Sequence, residues 1–309
     1  MWKQRCALLR PPAGHAADSP VAGMALMLAG TALFSLNDAL GKWLVASYSV
    51  GELLLVRSVA GLILLAPLVG RAGIAAFTTA PRPGLQLVRV VLSTAEVAMF
   101  FWAVSYLPLA DTVTFYLAAP IYVTALSVVL LGEKVGWRRW TAVVVGFAGV
   151  VLALRPSAAT FTLPALIALA GSVIFALLMI ATRRLRETSN TVLVAGQVGG
   201  TFLFGVIAAP PVWITPSVRD LALLTLFGVF AFVALACINR SLTLAPASVV
   251  VPYQYTIIVW AIALGYIFFG DLPDAFTLSG AGIIVAAGLY IFWREEMRGG
   301  SERAPPLHP

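Results

Sequence analysis

Charge is scarce in this chain of 309 residues: Asp, Glu, Lys and Arg make up 11% of it, against about 25% in a soluble domain. With 61% of the residues hydrophobic, a water-soluble globule is excluded and an integral membrane protein is indicated. Cysteine is nearly absent. Cys6 and Cys237 are too few for a disulfide framework or a thiolate metal site. Both histidines, His15 and His308, lie near the ends of the chain. Histidine zinc sites, Ser-His triads and histidine proton relays therefore have no material within the apolar segments. The pattern GxxxxGK[ST] is missing, so nothing supports ATP hydrolysis on this chain. Short segments of alternating polarity are missing too, which excludes a transmembrane β-barrel.

What the chain does have is long apolar runs. Crossing a bilayer takes about 20 mostly apolar residues in a helix, and ten stretches qualify: 21–45, 52–70, 84–106, 108–132, 137–154, 164–182, 191–210, 218–239, 246–270 and 275–293. The expected fold is an all-α integral membrane bundle of ten helices. The net charge of +7 is explained by topology. With both termini cytoplasmic, fifteen Lys and Arg residues fall on the inner side, and only Lys42, Arg155 and Arg219 fall on the outer one. One missed span would scramble that asymmetry. Nucleic acid is not an expected partner.

Residues 107–135 repeat as 245–273 without a gap. Pro108 meets Pro246, Phe115 meets Tyr253, Gly132 meets Gly270 and Glu133 meets Asp271; the register continues as AVVVGFAGV over GAGIIVAAG. The chain thus reads as five helices used twice. Because five is odd, the second copy enters the membrane from the opposite side. Inverted repeats of this kind place a binding site near the midplane and expose it to the two sides in turn. The expected organisation is a flexible cytoplasmic tail (1–20), a first repeat (21–156), a second repeat (157–295) and a cytoplasmic tail (296–309).

Ten spans in a five-plus-five arrangement, LNDALGKWL followed by GELLLVRS, LGEKVGWRRW after span four, and FGDLPDAFTLSGAGIIVAAGLY at the end resemble the EamA-domain branch of the drug/metabolite transporter superfamily. The resemblance implies a multi-pass protein of the bacterial inner membrane that exports amino acids or related metabolites by alternating access. S-adenosylmethionine or another organic cation is the alternative cargo. A membrane-embedded enzyme would need a convergent nucleophile, base or metal set, and the sequence offers little toward one. The expected partners are a small-molecule substrate and the lipid bilayer, with the chain a monomer or, alternatively, a homodimer. No cofactor is expected, and proton coupling is the alternative to facilitated diffusion.

Ionisable residues inside a span carry an insertion penalty of about 2.5–3.5 kcal/mol each, so they face partners or a water-filled cavity. In the first span Thr31, Ser35, Asp38 and Lys42 share one helix face. Counting about 1.5 Å per residue puts Asp38 and Arg57 at matching depth on consecutive spans, so an Asp38–Arg57 ion pair is expected, as a gate or a structural clamp. Lys42 is within reach of Asp38 one turn away, or snorkels to water, with Glu52 also near the surface; Asn37 is expected to point away from Asp38. In the third span Gln86, Arg89, Ser93 and Glu96 share a face. Glu96 falls within about one residue of the bilayer middle, where it is protonated, pairs obliquely with Arg89, or meets a cationic substrate. Trp102, Tyr106, Tyr116, Phe175, Tyr253 and Trp260 are candidates to line a cavity for a ring or an ammonium group, along with Phe115, Tyr122 and Tyr255.

Overall fold

The fold is a computed structural model that describes residues 20–73, 75–131, 136–154, 162–185, 187–244 and 250–303. Its elements are α1 (Pro20–Val45), α2 (Val50–Ala72), the single turn α3 (Ala75–Thr78), α4 (Pro83–Val104), α5 (Leu109–Leu117), α6 (Ala119–Leu131), α7 (Trp137–Leu154), α8 (Leu163–Arg184), α9 (Asn190–Ala208), α10 (Val218–Leu244), α11 (Ile257–Phe269) and α12 (Ala275–Arg303). Three-residue and six-residue 3-10 turns, Pro210–Val212 and Val251–Thr256, precede α10 and α11. Seven helices are long and apolar enough to cross a membrane, and shorter apolar helices at Trp140–Ala153, Tyr253–Phe269 and Ala275–Tyr290 bring the total to the ten spans read from the sequence. Lys134 and Glu133 of the repeat motif lie outside the described residues, as do residues 1–19 and 304–309 of the two expected tails.

The helix ends follow local chemistry. Ser49 and Ser189 cap α2 and α9, their hydroxyls accepting from the backbone N–H of Glu52 and Val192. Pro83 and Pro164 open α4 and α8, where a missing N–H leaves nothing unsatisfied. Gly270, at φ +70°, ends α11 in the left-handed region, and Asp274 then caps α12 by accepting from Thr277 N at 2.8 Å. Ile63, Ile207, Val129, Val144 and Ile267 are between 65 and 80% exposed, a pattern that only a lipid environment tolerates on so many helices at once.

Helix pairing carries the inverted symmetry. The most extensive pairs are α1–α10, α4–α8, α2–α9 and α7–α12. If the five spans of the first half (α1, α2, α4, α5–α6, α7) are exchanged with those of the second (α8, α9, α10, the 3-10 turn with α11, α12), α1–α10 becomes α8–α4, and α2–α9 and α7–α12 map onto themselves. The pair α1–α11 likewise becomes α8–α6. No such closure under exchange is expected of ten unrelated helices.

The symmetry extends to a defect. Span four breaks at Ala118, between α5 and α6, just ahead of Pro120, whose ring cannot continue the hydrogen-bond ladder. Thr256, 138 residues later (256 − 118), is where the 3-10 turn gives way to α11. The sequence repeat therefore reproduces the interruption as well as the span. Since α5 has nine residues, Ala118 lies roughly 14 Å from its starting end, near the middle of a bilayer core about 30 Å thick.

The α7–α12 contact depends on bare glycine. A Cβ on Gly280 would lie 2.7 Å from Gly149 O and 2.9 Å from Ala153 N, both backbone atoms that cannot swing aside. Gly280→Val is expected to force these helices apart and to destabilise the bundle by about 1–3 kcal/mol. A lowered melting temperature of the detergent-solubilised protein would show it, with Gly282→Val, which meets nothing within 4 Å, as the neutral control.

Candidate functional site

Loops 46–49, 105–108, 209–217 and 270–274 share one face of the bundle, hereafter the upper face. The polar stripe of α1 runs down from it. Three of its four residues bind the second repeat: Thr31 Oγ1 lies 3.1 Å from Thr256 Oγ1, Ser35 Oγ donates to Ile257 O at 3.4 Å, and Lys42 Nζ forms an ion pair with Asp271 Oδ2 at 2.7 Å. Two of those contacts fall at the junction where span nine is broken. The stripe is thus a seam between the two halves, and Asp38 is the member left to face inward.

Asp38 does not form the expected direct ion pair with Arg57. The ion pair that the α1 stripe makes within 4.0 Å is Lys42–Asp271. Arg57 instead lays its guanidinium over the rings of Phe227, 5.0 Å from the centroid, and Phe101, 5.9 Å away, while its charge interacts with both Asp38 and Glu96. The two charges still interact, while the two aromatic faces hold the guanidinium in place of a direct contact. Nor does Asn37 serve a different neighbour: its Nδ2 donates to Asp38 Oδ1 at 3.2 Å, bending back across the helix. Lys42 takes neither of its expected options, since it turns to Asp271, to Leu107 O at 3.2 Å and to the Phe269 ring at 4.7 Å.

Glu96 also changes partner. Arg89 does not reach it, because the guanidinium donates to Thr182 Oγ1 at 2.9 Å and Leu193 O at 2.8 Å and so ties α4 to α8 and α9. The cation that Glu96 feels is Arg57. Tyr116, from the end of α5 beside the break, donates its hydroxyl to Glu96 O at 3.3 Å and lies within electrostatic range of both carboxylates. Asp38, Arg57, Glu96 and Tyr116 are all half-buried in spite of their depth in the bundle. These partly accessible polar groups gather near the broken helix, and the region they enclose is hereafter called the chamber.

The aromatic candidates divide. Tyr116 packs edge-on against Phe100 at 5.1 Å and tilted against Phe175 at 6.1 Å, so these rings line the chamber on the α4, α5 and α8 sides. Trp102 packs tilted against Tyr106 at 4.9 Å, and Tyr106 is 65% exposed just beyond the upper end of α4, a position that suits the interfacial belt. Tyr253 packs on a separate cluster with Met27 and Val250, toward the lower face. Trp260 lies with Val259 on the exposed flank of α11. Ser93 is fully buried and gives its hydroxyl to Val90 O of its own helix. Tyr106, Tyr253, Trp260 and Ser93 are therefore not brought to the chamber, whereas Phe101 and Phe227, which sequence reasoning did not single out, form the platform for Arg57. Asp271 was within reach of the charge count, which puts it on the same side as Lys42; the platform left no such signal.

Gly171 of α8 sets the position of Tyr116. A Cβ there would overlap Tyr116 Oη and lie 3.2 Å from Cζ. Gly171→Ala is expected to push the phenol off Glu96 O and raise KM for transport several-fold, with the melting temperature unchanged.

One arrangement unites these features: two carboxylates share a single guanidinium. Arg57 balances one of them, which leaves the other for a proton or for a cationic group on a ligand. Aromatic faces close the remaining sides. A molecule with a carboxylate and more than one positive centre matches such a chamber in charge.

Comparison with known proteins gives consistent results. The model of the EamA-like transporter family matches residues 21–155 and again 162–293. The S-adenosylmethionine uptake transporter of Rickettsia bellii is 28% identical over 264 residues, covering 85% of this chain and 90% of its own. The pseudopaline exporter of Pseudomonas aeruginosa is 26% identical, covering 86% and 94%. The riboflavin transporter of Vibrio cholerae is 25% identical, covering 92% and 97%. A solved crystal structure, 17% identical, superimposes with a TM-score of 0.62 over 89% of this chain and 98% of its own, which speaks to the fold alone.

Proposed function

The chain belongs to the EamA-like transporter family, and from that premise we propose that it carries a small amino-acid-like metabolite with an extra positive charge, of the S-adenosylmethionine type. It works as a single chain in the bacterial inner membrane with both termini cytoplasmic, by exchange of two conformations of its inverted halves. The charge asymmetry supports the orientation. Relatives include both an uptake protein and an exporter, so membership carries no direction.

The observation that carries the substrate class is the two-to-one ratio of carboxylates to guanidinium in the chamber, with Asp38 and Glu96 on one side of the balance and Arg57 on the other. A neutral amino acid offers one carboxylate and one ammonium. It satisfies Arg57 and a single acid, leaving the second acid without a countercharge at midplane depth. S-adenosylmethionine adds a sulfonium, which meets that acid, and an adenine, for which Tyr116, Phe100 and Phe175 provide faces. Export of neutral or aromatic amino acids, the expectation drawn from the resemblance, leaves the chamber one positive charge short.

Purified protein in liposomes tests this reading. Saturable flux of labelled S-adenosylmethionine is expected, with S-adenosylhomocysteine, which keeps the adenine and the amino acid but lacks the sulfonium charge, competing at least about tenfold more weakly. Equal competition by the two, or faster flux of a neutral amino acid, would sink the charge argument.

A further inference from the structure

Lys42 stands between two acids. It is bonded to Asp271 in the loop joining α11 and α12, with side chains 14% and 32% exposed, and it lies one helical turn above Asp38 on the same face of α1. Among the described residues Asp38 receives only the amide of Asn37 as a direct bond, at 3.2 Å. Lys42 and Asp271 belong to opposite halves of the inverted pair, so a rocking of one half against the other that opens the upper face must separate them. The freed ammonium then has one carboxylate within a turn.

We propose that Lys42 exchanges partners during transport, bound to Asp271 when the upper face is closed and to Asp38 when it is open. This rests on the transport reading above and adds the coupling between closure and occupancy. With the upper face open, Lys42 neutralises Asp38 and weakens its hold on a substrate cation, which favours release. When a cationic substrate occupies Asp38, Lys42 is displaced and returns to Asp271 and Leu107 O, closing the face over the cargo. Linkage makes the effect reciprocal: whatever removes the negative charge of Asp38 favours closure as much as closure favours the cation. The Phe269 ring, 4.7 Å from Nζ, offers the ammonium a third contact in the closed position, so its return to Asp271 is not across bare hydrocarbon.

The test measures the distance between spin labels at Ala46→Cys and Leu272→Cys across the upper face, in a full-length chain carrying Cys6→Ser and Cys237→Ala. Without substrate, Asp38→Asn is expected to raise the ratio of closed to open molecules about fivefold or more, and Lys42→Gln is expected to abolish that response. The same comparison is made in an Asp271→Asn background, where weakened closure leaves room for the shift to be seen. In the charge swap Lys42→Asp with Asp271→Lys, the bridge and the closed population return, but Asp38→Asn no longer raises the closed population. An unchanged ratio for Asp38→Asn in both backgrounds, or a charge swap that restores full transport, would reduce Lys42 to a clamp and overturn the exchange. If the substrate-free response appears and added S-adenosylmethionine does not reproduce it, the exchange stands and the substrate class fails.

Discussion

Arg57→Leu is expected to leave little folded protein in the membrane, and adding Asp38→Asn and Glu96→Gln to the same chain is expected to recover much of it. Among the described residues Arg57 is the one cation whose charge interacts with both chamber carboxylates. Breaking a buried charge group by removing one member typically destabilises by about 3–5 kcal/mol, because the survivors stay buried without compensation. Here two acids are stranded, and Phe101 and Phe227 lose the guanidinium that covers them. Neutralising both acids removes the uncompensated charge, leaving lost packing as the only deficit. Monodisperse yield after solubilisation and the melting temperature measure both steps. A single Arg57→Leu variant as stable as the parent would mean that the chamber is wet enough for its charges to need no partner, and the low-dielectric reading of the site would fall.

Glu96→Gln carries the largest expected effect on transport. The substitution keeps shape and the Tyr116 hydrogen bond, which uses the Glu96 backbone carbonyl, so the fold is expected to survive. What changes is the chamber's charge balance, from one acid in excess to none. A charge pair 4 Å apart at an effective dielectric of 20 is worth about 4 kcal/mol. Even a third of that is about tenfold in affinity, so KM for S-adenosylmethionine is expected to rise at least about tenfold while that for a neutral amino acid such as methionine moves less. If Glu96 also carries a coupled proton, the pH dependence of flux flattens in the same variant. Flux and pH profile identical to the parent would remove Glu96 from the mechanism.

The chamber was only partly legible in advance. Asp38, Arg57 and Glu96 stood out because a charge in an apolar run demands a partner, and depth counting put Asp38 and Arg57 at one level. It did not assign the partners. Depth fixes a residue along the membrane normal and says nothing about which helix lies beside it. The pairing of Arg57 with two aromatic faces, of Arg89 with Thr182 and Leu193 O, and of Asn37 with Asp38 each depended on a neighbour far away in sequence or on a side-chain bend that a 100° helical wheel ignores. The aromatic candidates show the same limit. Tyr116 and Phe175 meet, while Tyr253 and Trp260, equally reasonable by composition, are turned elsewhere by the path of the ninth span.

Composition, apolar run length and the distribution of Lys and Arg were enough to determine a ten-helix membrane bundle, and the 138-residue register was enough to determine its inverted duplication. These depend on the contrast between lipid and water along one axis, which every residue reports independently of its neighbours. Only the tertiary structure decided that the polar stripe of α1 is a seam to the second repeat, that the interruption at Thr256 lies beside it and its counterpart at Ala118 beside α8, and that two acids share one guanidinium. Those are matters of lateral packing between helices distant in sequence, where ring shapes and missing side chains, as at Gly171 and Gly280, choose which polar groups meet.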